Sequence, residues 1–137
     1  MSALARAWQK PRGILLDVAP AALYLAVLFW AGLIPLKSLP GPDFEFADKV
    51  WHALAFGGLA GLLSRAFVYF GRSGLVAARS ASLIAITLGG LLEVLQSFTV
   101  YRSADWADLA ADTFGVALAY GVLCWLNAAA TREKELA

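Results

Sequence analysis

Asp48, Lys49 and His52 stand within five residues of one another in the stretch DKVWHALAF. Glu93 and Gln96 are three apart in EVLQ, and Asp105, Asp108 and Asp112 are three and four apart in DWADLAAD. Spacings of three and four place side chains on one face of a helix, so each set makes a single polar stripe. A histidine beside a carboxylate has the makings of a general base and the group that orients it. His52, Glu93 and Asp108 are therefore the candidate catalytic residues. Arg102, a few residues past the second stripe, adds a guanidinium that can grip a phosphate or carboxylate with paired hydrogen bonds. Asp48, Lys49, Gln96, Arg102 and Asp112 are the candidate ligand-binding residues. Ser97 and Ser103 offer hydroxyls near the same place, a weaker signal for nucleophilic catalysis. One imidazole with two or three carboxylates can also ligate a divalent cation. No HExxH or other compact ligand motif is present, so the expectation is no metal and no other cofactor.

The elements that must carry these stripes are membrane helices. Of the 137 residues 61% are hydrophobic and only 15% charged, against roughly 45–50% apolar in soluble proteins. The net charge of +1 supplies no electrostatic footprint for nucleic acid, so none is expected as a partner. Cys124 is the single cysteine, which excludes a disulfide framework or a thiolate metal site. Four apolar runs, at about 14–36, 50–70, 76–100 and 106–130, each approach the roughly 20 residues a helix needs to cross the hydrocarbon core. Turn signals separate them: Pro35, Pro40, Gly41 and Pro42, then Gly71, Ser73 and Gly74, then Arg102 and Ser103. The expected fold is all-α, a four-helix transmembrane bundle forming one domain over residues 1–137. The apolar run behind the basic N-terminal flank is too long for an ordinary signal peptide and is expected to stay as an anchor. Pro20 predicts a kink or a delayed helix start in the first span, and Ser103 an N-cap on the fourth helix, with Asp105 in its first turn.

Orientation follows from the basic residues. Arg6, Lys10, Arg12, Arg65, Arg72, Arg79, Arg132 and Lys134 fall on one side, and only Lys37, Lys49 and Arg102 on the other. The positive-inside rule then puts both termini in the cytoplasm and the polar stripes in the outer half of the membrane. At 1.5 Å per residue His52, Gln96 and Asp108 lie about 6 Å in, with Glu93 and Asp112 at roughly 10–12 Å. Groups that cost about 2.5–3.5 kcal/mol each at mid-membrane should face one another rather than lipid. Gly57 and Gly61, Gly89 and Gly90, and the series Ala111, Gly115 and Ala119 permit that approach. Two carboxylates at one depth cannot both ionise cheaply, so Glu93 and Asp112 are expected to share a proton unless a cation or His52 intervenes. Lys49 is expected to snorkel outward, Arg65 to reach the cytoplasmic headgroups, and the tryptophans to act as interfacial anchors.

The ordered motifs D-K-x-x-H-x-x-x-F at Asp48, Lys49, His52 and Phe56, E-x-x-Q at Glu93 and Gln96, Arg102, and D-x-x-x-D-x-x-G at Asp108, Asp112 and Gly115 resemble the VanZ-like family over about residues 48–121. Asp112 departs from that pattern, which usually has Asn there. The resemblance implies a small multi-pass protein of the bacterial inner membrane, in a family named after a protein associated with resistance to teicoplanin-type glycopeptide antibiotics. With the cluster chemistry, the expected partners are membrane lipids, among them a lipid-linked phosphate or cell-wall precursor in an extracytoplasmic pocket. The alternative is a non-catalytic bundle whose buried polar groups only fix helix packing.

Overall fold

The structure is a computed structural model, and it describes residue 5 and residues 7–35, 47–100 and 105–135. Among the described residues five helices follow in chain order: α1 (Ile14–Asp17), α2 (Ala19–Leu33), α3 (Ala47–Tyr69), α4 (Gly74–Ser97) and α5 (Trp106–Glu135). No strand occurs among the described residues. The stretches Ile14–Leu33, Ala47–Tyr69, Gly74–Ser97 and Trp106–Arg132 are long and apolar enough to cross a membrane.

Local chemistry explains the boundaries. The first span breaks at Val18 and restarts at Ala19, which puts Pro20 in the first turn of α2. Its missing N–H has no helical partner to lose there, so the delayed start expected from the sequence is what forms. At the far end Ile34 is extended, the conformation that the following Pro35 imposes on its neighbour. The α3 terminus closes on Gly71 at φ 83°. Arg72 N–H bonds back to Phe67 O at 3.0 Å and Gly71 N–H to Val68 O at 3.0 Å, the paired bonds of a glycine-terminated helix. Helix α5 starts at Trp106, so Asp105 is its cap rather than part of its first turn: Asp105 Oδ1 accepts the Ala107 amide at 2.8 Å. Ser103, the expected cap, lies outside the described residues.

Helix α3 is central. It packs along α5 and α4, these two also pack on each other, and α2 leans against α3 and α4. The core is Phe56, Leu59 and Ala60 of α3, Ala85 and Leu92 of α4, and Val116 of α5. The tightest approach is between α3 and α5. A Cβ on Gly57 would lie 2.8 Å from Gly115 O, and one on Gly115 would run into Ala53 O. Gly61, the other half of the expected GxxxG contact, has open space beside it. Leu23, Trp30, Leu54, Leu83, Phe114, Leu118 and Trp125 point outward and exposed. Apolar side chains therefore cover the outside as well as the core, as bilayer-facing helices require.

Candidate functional site

The polar stripes converge at one end of the bundle, where α3 and α5 begin and α4 ends. Helix α3 starts at Ala47, earlier than the apolar run implied, so Asp48 and Lys49 belong to its first turn. Lys49 does not snorkel away. Its Nζ donates to Asp105 Oδ2 at 2.8 Å and Asp48 Oδ2 at 3.0 Å, and also to Asp108 Oδ1. The carboxyl of Asp105, outside the span, is held below the usual carboxylate range, first by this bond from Lys49 and then by the Ala107 amide.

One turn deeper His52 lies between two acids of α5. Nδ1 is 3.0 Å from Asp112 Oδ1, and Nε2 is 3.5 Å from Asp108 Oδ2. The two depth layers thus interleave, with the histidine of the upper one bonded to the deeper acid. Glu93 reaches in from α4, its Oε2 accepting the Asp105 amide at 2.8 Å. Glu93 and Asp112 are 6% and 0% exposed, yet Glu93 Oε1 and Asp112 Oδ2 have no hydrogen-bond partner among the described residues. Gly89 makes room for Asp112, since a Cβ there would lie 2.8 Å from its Oδ2. His52, Glu93 and Asp112 each offer a donor atom, all within 4.8 Å of one another. The sequence showed no ligand motif because these donors come from three helices.

Gln96 takes a different partner. Its Nε2 donates to Gly32 O of α2 at 3.0 Å, while the residue still lines, with His52, a cleft of about 220 Å³. Tyr24, Val27, Leu28, Trp51 and Leu92 also border the cleft. Tyr24 donates its hydroxyl to Ala55 O at 3.1 Å, a role that no polar stripe or spacing signals. Arg102 lies outside the described residues.

The opposite end of the bundle overturns one expectation. Arg65 is 3% exposed and does not reach out to headgroups. Its Nε and Nη2 donate to Asp17 Oδ1 at 3.1 and 2.6 Å, Nη2 donates to Lys10 O at 2.9 Å, and Nη1 donates to Trp8 O. Trp8, expected as an anchor, lies with its ring 5.2 Å from the guanidinium. Asp17 also accepts the Arg12 amide at 2.6 Å. Both Asp17 oxygens and all three guanidinium nitrogens of Arg65 have partners, while Trp8 Nε1 has none among the described residues; the paired charges mark a structural tie rather than a reactive site.

An all-helical bundle with four spans and a buried His–carboxylate cluster between three of them defines a small multi-pass membrane protein. Residues 21–127 match the family described as VanZ/LLP1, and the chain belongs to that family. The matched range takes in α2 as well as the three helices that carry the motifs. No curated protein and no solved structure matches the chain.

Proposed function

We propose that this VanZ/LLP1-family protein binds a phosphate-bearing envelope lipid or lipid-linked cell-wall precursor at its His52 end. The cleft carries the reading: Tyr24, Val27, Leu28 and Leu92 line it together with His52 and Gln96. At about 220 Å³ it is smaller than the roughly 300 Å³ of an ordinary ligand pocket. It suits a segment of hydrocarbon chain whose remainder stays in the bilayer, with the headgroup over the charged cluster. His52, flanked by Asp112 and Asp108, lies on the wall of that cleft. Arg102 is assigned to the headgroup from the sequence alone, since the Lys49 ammonium is taken up by Asp48, Asp105 and Asp108. The positive-inside count puts this end on the extracytoplasmic face of the bacterial inner membrane.

A second reading, a bundle whose polar groups only fix packing, is favoured by the Gln96 bond to Gly32 O, which ties α4 to α2. Lipid identification by mass spectrometry on the purified protein separates the two. Enrichment of lipid-linked phosphates over the surrounding membrane, lost in His52→Ala at unchanged thermal stability, is the expected result. Generic phospholipids alone, in membrane proportions, would support the packing role. A link to glycopeptide susceptibility predicts that cells expressing the wild type and His52→Ala differ in teicoplanin tolerance.

A further inference from the structure

We propose that His52, Glu93 and Asp112 bind one divalent transition-metal ion, Zn2+ or Mn2+, between α3, α4 and α5. Their donor atoms lie within 4.8 Å of one another. Two donors held about 2.1 Å from a common ion are separated by about 3.0–4.2 Å, so a side-chain movement of under about 1 Å completes the set. His52 Nδ1 and Asp112 Oδ1, at 3.0 Å, already have that spacing.

Two independent observations point to a cation. Glu93 and Asp112 each keep one buried oxygen without a hydrogen-bond partner, and such oxygens are costly to leave unpaired away from water. The ammonium of Lys49 is already engaged by Asp48, Asp105 and Asp108. The second observation is the support around the three side chains. His52 turns its other nitrogen toward Asp108 at 3.5 Å, and the Asp105 amide holds the other oxygen of Glu93 at 2.8 Å. Partners of this kind fix the orientation of ligating side chains and raise their basicity. An imidazole in the set favours Zn2+ or Mn2+ over Ca2+ or Mg2+, which take oxygen ligands. Three protein ligands leave a position open for water or a ligand oxygen. The ion site does not depend on the lipid reading, because uptake is measured without added lipid.

The test uses the full chain in detergent, stripped with chelator and titrated separately with ZnCl2 and MnCl2 by calorimetry. One ion per chain is expected, bound at least about tenfold more weakly by Glu93→Gln and by Asp112→Asn. Asp108→Asn, which removes the carboxylate behind His52 and one ionic partner of Lys49, should weaken binding about 10-fold or more. Glu135→Gln alters an exposed acid at the opposite end of the bundle and should stay within about twofold of the wild type. Nitrogen hyperfine coupling from His52 in the Mn2+ resonance spectrum gives a readout on the wild type alone, should a variant fail to fold. Absence of saturable uptake by the wild type would overturn the proposal and leave the two acids to share a proton. Equal affinity in Asp112→Asn, or an equal loss in Glu135→Gln, would overturn it too.

Discussion

Asp17 and Arg65 are the most completely buried ion pair described in the protein, with side chains 0% and 3% exposed. Removing one member leaves the other charged and unpaired, which costs about 3–5 kcal/mol at such sites. Arg65→Met should therefore lower the thermal midpoint in detergent strongly, and Asp17→Asn likewise. The double variant should lose far less than the two losses added together, and full additivity would refute the pair. The sequence hid this tie because its members are 48 residues apart and Arg65 was expected to reach the cytoplasmic headgroups. His52, Asp108 and Asp112 were legible, since helical periodicity alone aligns them and the cost of exposure to lipid turns them inward. Which acid His52 bonds was not legible: a depth estimate good to about a helical turn cannot separate residues only about 6 Å apart along an axis.

At the scale of elements, the number and type of helices followed from hydropathy, while their ends followed from chemistry that hydropathy ignores. Polar first turns such as Asp48 and Lys49 are helical without being apolar, so the second span begins at Ala47 rather than Val50. Phe98 and Val100 are apolar but lie beyond the end of α4 at Ser97. The glycine pattern was half informative, because period four says which residues share a face but not which of them meets a backbone. Gly57→Ala should disturb the α3–α5 contact, where its Cβ meets Gly115 O at 2.8 Å, and cost about 1–3 kcal/mol as overpacking does. Gly61→Ala, beside open space, should be neutral or slightly stabilising through helix propensity. Thermal unfolding of the two variants side by side checks this, and equal effects would mean that the close approach is not where the structure places it.

Taken as a whole, the molecule has two unlike ends. One gathers acids around Lys49 and His52; the other carries Arg65, Arg72 and Arg132. Four spans return the chain to the side from which it started, and the basic excess on that side predicts cytoplasmic termini. A compartment-sensitive reporter fused to the C-terminus should be active in its cytoplasmic form. Activity of the periplasmic form would invert the bundle and place the His52 cleft on the cytoplasmic face.

The near-contact of Gly115 with the Ala53 carbonyl falls one residue after His52 and three after Asp112. Helices whose backbones touch at a point can pivot there, but they cannot slide past each other without first separating. When a bilayer thickens or thins, the change in tilt it demands is taken up with this point as the hinge, and displacement grows with distance from it. The imidazole and the carboxylate thus sit near the fixed point of the bundle, where membrane strain moves atoms least.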